Sequence, residues 1–326
     1  MTPPSAVRER AAFSEVTEPY RRELLAHCYR LLGAVDEAED LVQETYLRAW
    51  RSYDGFEGRS SLRTWLYQIA TNVCLSALDR RSRRPLPSGL GAPGHGHEVG
   101  EQEVEWLQPI PDALVTPESD DPAVIAVSRE SLRLALIASL QYLPARQRAV
   151  LILRDVLAFS ASEVADILGT TTVAVKSALQ RARARLELEA PAGEELSEPA
   201  EPEARAVLDR YIAAFETADA QALKDLLRAD ARLELPPSAT WYSGDGAVAT
   251  AVEGLGTPGE WRMVATAANG QPAAATYRRD ASGEYRAYGV VVLTTTRTQI
   301  AALTVFGEPA LVAWFGLPPL HRAIPS

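Results

Sequence analysis

The sequence predicts a multidomain chain: two all-α helical domains, the second with a helix-turn-helix, followed by an α+β domain. Three observations carry this reading. Two acidic, proline-rich stretches without a Lys or Arg divide the chain. Apolar residues recur at three-and-four spacing in both segments ahead of the second divider. Past Ala231 that spacing gives way to β-branched and aromatic runs.

At 326 residues the chain has length for two or three domains. With 47% hydrophobic and 23% charged residues its composition is globular, which excludes wholesale disorder and fibrous repeats. No apolar run approaches the roughly 18 residues of a membrane span. Met1 to Phe13 carries charges where a signal peptide is greasy, so a cytoplasmic location is expected. Cys28 and Cys74 fall in helical patterns and make no metal-type spacing with the four histidines. They read as buried thiols, with no metal site and no cofactor. The net charge of -10 would disfavour nucleic acid only if it were evenly spread. Residues 85–128 hold eight acids and no base, and residues 191–204 hold five acids and no base, whereas residues 129–190 carry nine bases against six acids.

The first domain, residues 14–84, reads as helices from Tyr20 to Leu32, Val35 to Tyr53 and Ser61 to Arg81. Ala38, Leu41, Val42, Thr45 and Ala49 share one face of the second, and Leu62, Leu66, Ile69, Val73 and Leu78 line the third. Asp54-Gly55-Phe56-Glu57-Gly58 between them is a loop. Residues 85–122, with seven prolines and five glycines, form a linker. Its apolar patch, Trp106 to Pro111, is expected to dock on a folded surface. Residues 123–189 are helical again, with a break at Pro144, and residues 190–203 form a second linker. In residues 204–320, Ala204, Val207, Leu208, Tyr211, Ile212 and Phe215 mark an amphipathic helix. Asp219 caps a shorter helix, and strands are expected over 261–266, 273–278, 284–296 and 298–306.

Within the second domain, Ser162 to Leu168 forms a short helix, Gly169 supplies a turn, and Thr171 or Thr172 caps a helix through Arg185. Val175, Ala178, Leu179, Ala182 and Leu186 are its buried stripe. Lys176, Gln180 and Arg183 make a second face flanked by Arg181 and Arg185, suited to base edges and phosphates in a major groove. A basic helix end packed on its neighbour is the plainer alternative, and the motif alone fits any transcription factor.

The first domain breaks that ambiguity. The run from Asp36 to Trp50, then Phe56, then Arg63-Thr64-Trp65-Leu66-Tyr67-Gln68-Ile69-Ala70-Thr71-Asn72, then Arg80-Arg81-Ser82-Arg83-Arg84, resembles the second region of extracytoplasmic-function RNA polymerase sigma factors. Leu143-Pro144-Ala145-Arg146-Gln147-Arg148 with the helix-turn-helix resembles the fourth region of that family. The resemblance covers about residues 14 to 84 and 129 to 188. It implies a non-catalytic subunit that binds core polymerase, reads upstream promoter DNA and melts DNA downstream.

The residues supply chemistry for each role. Asp40, Gln43 and Glu44 beside Leu41 and Leu47 suit a basic helical partner, which the resemblance implies is the clamp helices of the polymerase largest subunit. Phe56, Arg59, Ser60, Arg63, Trp65 and Asn72 combine aromatic and cationic groups able to hold unstacked bases. Trp65 and Tyr67 serve equally well as core aromatics. Arg80, Arg81, Arg83 and Arg84 form a phosphate-contacting cluster, and Thr172, Lys176, Gln180, Arg181 and Arg183 address the double-stranded promoter. The acidic linker either mimics RNA in the polymerase path, as the resemblance implies, or is a soluble tether.

The third domain, with Thr240-Trp241-Tyr242-Ser243-Gly244 and Trp314-Phe315-Gly316-Leu317-Pro318, resembles the SnoaL-like cone fold fused to some sigma factors of this class. That resemblance implies an apolar pocket for a small-molecule ligand, with Tyr211, Glu234, Trp241 and Tyr242 as candidate lining residues. Acid–base chemistry there would fall to Glu234, Asp245 or Tyr211, since His321 lies at the tail. Intramolecular docking on the sigma core is the favoured role, because a tethered domain has a high effective concentration. Two other readings stand beside this one: a polymerase-independent helix-turn-helix regulator, which leaves residues 14–84 unexplained, and a SnoaL-like enzyme with a DNA-binding appendage.

Overall fold

A buried helix organises the N-terminal region: every residue of helix α1 (Arg21–Leu32) from Leu24 to Leu32 is buried, including His27 and Arg30. A helix buried on all sides lies at the centre of its unit. Gly33 ends it in the left-handed conformation, φ 78°, which a residue without a Cβ adopts at no steric cost. The computed structural model describes residues 13–79, 83–90, 92–93, 104–119, 121–189 and 201–321. The chain separates into two compact units, Met1–Arg83 with Leu114–Pro191, and Arg84–Ala113 with Ala192–Ser326. The division does not follow the linear order, because most of the first linker groups with the C-terminal residues.

In the helical unit, α2 (Val35–Ser52) buries Val35, Ala38, Val42, Thr45 and Ala49 along one stripe. Helix α3 (Leu62–Leu78) starts at Ser61, whose hydroxyl accepts from the Thr64 backbone N–H at 3.0 Å. The expected stripe of α3 is rotated. Tyr67, Ala70, Thr71 and Cys74 are buried while Leu62, Ile69 and Leu78 are only half-buried, since α3 meets helices on more than one side. After α4 (Pro122–Glu130) and α5 (Leu134–Leu140), helix α6 (Ala145–Leu151) runs into a π-helical turn over Ile152–Val156. Helix α7 (Ala161–Leu168) opens with a reciprocal cap: Ser160 accepts from the Glu163 N–H and Glu163 accepts from the Ser160 N–H. Gly169, φ 59°, makes the turn into α8 (Thr172–Glu189), completing the helix-turn-helix.

Buried cations join the two helical regions. The Arg30 guanidinium donates to the Ser131 hydroxyl at 2.7 Å and its carbonyl at 3.3 Å. Arg148 donates to the carbonyls of Gln141 and Leu143, each at 3.2 Å, to Gln141 Oε1 at 2.7 Å, and to the Leu31 carbonyl at the end of α1. Burial pushes both groups down to about 10, so both remain charged near neutrality.

The C-terminal unit is α+β. Helices α9 (Glu201–Thr217) and α10 (Ala220–Leu226) precede a sheet of β1 (Leu227–Glu234), β2 (Trp241–Ser243), β3 (Trp261–Ala268), β4 (Gln271–Arg279), β5 (Tyr285–Thr295), β6 (Ile300–Phe306) and β7 (Leu320–His321). Helix α11 (Asp245–Glu253) lies between β2 and β3 in sequence. Asp219 caps α10 as expected, accepting from the Gln221 and Ala222 N–H groups. The strand order is β2-β1-β6-β5-β4-β3, with β7 on β5. Strands β1 and β6 pair in parallel and the other pairs are antiparallel. Thr276 pairs with Gly289 and Tyr277 with Ala287, so Tyr288 is an inserted residue that bends β5. A Cβ on Gly289 would fall 1.9 Å from the Phe306 carbonyl oxygen, so only glycine permits the approach. Val290 to Leu293 are all buried, which requires cover on both faces of the sheet.

His27 yields a pH test. Burial first, then Arg30 and Arg63, push it down to about 3, with Nε2 held 2.9 Å from Thr71 Oγ1. The unfolded chain binds a proton at about 6.5, so the folded state's advantage is complete above that value and is lost as pH falls towards 3. Denaturant unfolding of His27→Gln should show a flatter stability profile across this window than the unsubstituted chain. Parallel profiles would count against the assignment.

Candidate nucleic-acid interface

Helix α8 is exposed on one side. Val175 and Ala182 are buried, whereas Thr172, Val173, Lys176, Gln180, Arg181 and Arg183 are exposed. Thr171 rather than Thr172 supplies the cap, accepting from the Ala174 N–H at 3.2 Å, which leaves Thr172 on the first turn. Arg183 is held by Asp155 in a two-pronged pair, 2.9 Å from Nε and 2.7 Å from Nη2, and the carboxylate keeps its guanidinium above its ordinary value. Its fork is thereby turned from the outer stripe of Lys176 and Gln180 towards the preceding turn.

On the first region, the loop aromatics gather at the start of α3. Phe56 lies 5.0 Å and Tyr53 6.3 Å from Trp65, centroid to centroid, and all three are half-buried. Arg59 and Ser60 are exposed beside them, Arg59 pairing with Glu57. Asn72 is exposed two turns along α3. Arg63 is engaged elsewhere. Its Nε lies 2.9 Å from Glu23 Oε2, and its guanidinium stacks at 4.9 Å over Tyr67 and 4.8 Å over Phe159. Tyr67 is fully buried, 5.1 Å from Phe159, so this aromatic is core. Gln68 of α3 donates to the Asp166 carbonyl of α7 at 3.4 Å. The helix-turn-helix thus covers part of the α3 face.

Asp40, Gln43, Glu44 and Leu47 share one face of α2. Asp40 and Gln43 are exposed, Leu41 is half-buried, Glu44 pairs with Arg48 at 2.7 Å, and Leu47 is 48% exposed. Of the arginine cluster, Arg80 and Arg81 lie outside the described residues. Arg83 stacks 4.4 Å over Tyr142 in the helical unit. Arg84 is buried in the other unit, donating to the Trp106 carbonyl at 3.1 Å. Arg83 thus belongs to the helical unit and Arg84 to the other.

In the C-terminal unit the four candidate pocket residues are not brought together. Tyr211 is buried against Phe215 at 4.8 Å, and Tyr242 packs on the same helix-side core. Glu234 neighbours core residue Leu233 on β1 and so faces the other side of the sheet, with Trp241 opposite it in register. There it meets the linker: Ser88 donates to Glu234 from its N–H and its hydroxyl, each at 3.1 Å. Further along, Ile110 and Asn269 exchange hydrogen bonds of 3.0 Å, and the Gly270 N–H donates to Asp112 at 2.8 Å. Leu107 and Ile110 are fully buried, each worth about 1.5 to 3 kcal/mol. That part of the linker is packed structure. Asp245 is exposed at the start of α11, and His321 sits 5.3 Å from Tyr277.

Comparison with known proteins identifies the family. Residues 16–84 match the family described as Sigma-70 region 2, residues 133–186 Sigma-70, region 4, and residues 208–306 the SnoaL-like domain. Over 320 residues the chain is 51% identical to the ECF RNA polymerase sigma factor SigG of Mycobacterium tuberculosis (strain ATCC 25618 / H37Rv), spanning 96% of this chain and 86% of that one. The chain belongs to the ECF RNA polymerase sigma factors.

As a sigma factor it binds core RNA polymerase and recognises and opens promoter DNA to initiate transcription. It is also 31% identical over 175 residues to the ECF RNA polymerase sigma factor SigW of Bacillus subtilis (strain 168), spanning 54% of this chain and 87% of SigW. The crystal structure of the Mycobacterium tuberculosis sigma factor SigJ shares the fold, with a TM-score of 0.60 at 23% identity, covering 92% of this chain and 98% of that one. Among the described residues no helix of this sigma factor is long and apolar enough to cross a membrane.

Sequence reading missed the groups that hold these surfaces in place, Arg30, Arg148, Phe159 and Ser88. Arg148 belongs to the region 4 motif, but the acceptor that ties it to region 2, the Leu31 carbonyl, lies far from it in the chain. Glu234 supplies a test of the linker contact. Burial pushes its carboxyl up against the opposing pull of the Ser88 donors and Arg232. The folded unit therefore holds this proton more tightly than the unfolded chain and loses stability as pH rises from the ordinary carboxylate range through the raised value. Thermal unfolding of Glu234→Gln should remove that loss near neutrality, and an unchanged pH profile would contradict it.

Proposed function

We propose that α2 docks this sigma factor on polymerase through Asp40, Leu41, Gln43, Glu44 and Leu47, against basic clamp helices of the largest subunit. The loop and start of α3, with Phe56, Arg59, Ser60, Trp65 and Asn72, hold bases released from the stack. Helix α8 enters the upstream major groove with Thr172, Lys176, Gln180 and Arg181, while Arg183, set by Asp155, serves a phosphate. Arg83 and Arg84, with Arg80 and Arg81, remain candidates for the DNA backbone. The observation that supports this assignment best is the exposed face of α8, where a neutral stripe is flanked by cations on a capped recognition helix.

The packed arrangement of the two helical regions is a closed form that opens on polymerase, since Arg63 can reach DNA only when Phe159 withdraws. The C-terminal unit, which buries Leu86, Leu107 and Ile110 of the first linker, regulates this step. It is not a catalyst, because Glu234 is occupied by Ser88 and Tyr211 is sealed in the core. The protein acts in the cytoplasm, with polymerase and promoter DNA as its partners.

Run-off transcription with core polymerase tests the docking face. Leu47→Asp should cut transcript yield at least tenfold on a cognate promoter, the effect of about 1.4 kcal/mol or more in core affinity, while leaving the fold intact because Leu47 is exposed. Undiminished transcription would place the polymerase contact elsewhere.

A further inference from the structure

Val173 is a fold residue without a fold role. It is 72% exposed, on the first turn of α8. A β-branched side chain lowers helix propensity and, left in water, returns no packing. Single exposed apolar residues are common on protein surfaces, so its placement has to carry the argument. At about 100° per residue, Val173, Ser177 and Gln180 fall within about 60° of one another. That stripe lies opposite buried Val175 and Ala182. Lys176 falls on one side of it and Arg181 on the other, both exposed. The outermost line of the helix is therefore uncharged, and the cations stand beside it where phosphate rails would run.

The major groove offers side chains donors, acceptors and one apolar group, the 5-methyl of thymine. Valine has neither donor nor acceptor. We infer that Val173 is a specificity-determining residue that packs on the 5-methyl group of a thymine in the upstream promoter element. It lies about 10 Å along the axis from Gln180, seven residues at 1.5 Å each, so the two side chains meet different base pairs. This inference rests on the reading that α8 enters the major groove, and it adds a base identity that Gln180 does not supply.

The test uses the full chain assembled with core polymerase. Binding sequences are selected from a duplex library randomised upstream, and each thymine of the selected duplex is then replaced in turn by deoxyuridine, which removes only the methyl. One replacement should weaken binding about fourfold, the worth of one buried methyl. Val173→Ala should bind the unmodified duplex about fourfold more weakly and be indifferent to that replacement, while Val173→Ile stays sensitive to it. The substitutions are at an exposed site, so the fold survives them. Lys176→Ala should instead weaken binding to all duplexes, reduce its salt dependence and keep the methyl effect. If no thymine responds, or Val173→Ala responds as the unsubstituted chain does, the inference is overturned while the groove reading stands. If no sequence is selected at all, both fall.

Discussion

A buried guanidinium needs acceptors where water would otherwise sit, and the two Nη groups of Arg148 find four, the carbonyls of Leu31, Gln141 and Leu143 and the Gln141 amide oxygen, while its buried Nε has none. Three belong to the turn before its own helix and one to the end of α1, so the same cation shapes region 4 and joins it to region 2. Arg30 does the reverse, reaching from α1 to Ser131. A hydrogen bond to a buried charged group is worth about 1.5 to 3 kcal/mol, whereas an exposed pair such as Arg48 with Glu44 is worth about 0 to 1. Against a total stability of about 5 to 15 kcal/mol, the buried cations set the packing and the surface pairs decorate it.

The consequences reach the functional surfaces. With the two regions joined, Phe159 lies over Arg63 and Tyr67, and α7 lies along α3. A cation suited to DNA is held in an internal stack, while Phe56, Trp65 and the outer face of α8 remain at the surface. In the C-terminal unit a similar economy applies. The sheet is apolar on both faces, helices cover one, and the described part of the first linker contributes Leu86, Leu107 and Ile110 to the buried set. A stretch whose composition suggests a tether is thus ordered over part of its length by the few apolar residues it contains.

Local signals were legible in the sequence. The glycine turn at Gly169 and the Asp219 cap are chemistry between near neighbours and appear as read; the capping box at Ser160 and Glu163 is equally local and went unread. The strands from Trp261 onward were visible because Val, Thr and Tyr alternate there. Strand β1 was not, because its alternating pattern is built from Ala, Asp and Arg rather than β-branched or aromatic residues; Arg228 and Asp230 satisfy each other at the surface. The rotated stripe of α3 escaped for another reason: its Tyr67, Thr71 and Cys74 are buried by helices distant in sequence, which periodicity cannot weigh. The pocket failed likewise, since Tyr211 and Glu234 lie on opposite sides of a sheet whose parity only the register reveals.

Distance measurement between spin labels placed at exposed Ser76 on α3 and Ala184 on α8 examines the clamp itself, the native thiols Cys28 and Cys74 being buried and out of reach of the label. The unsubstituted chain should give a single narrow distribution, and Arg148→Ala should shift it to longer, broader distances. Distributions that coincide for the two chains would mean that Arg148 does not hold the helical regions together.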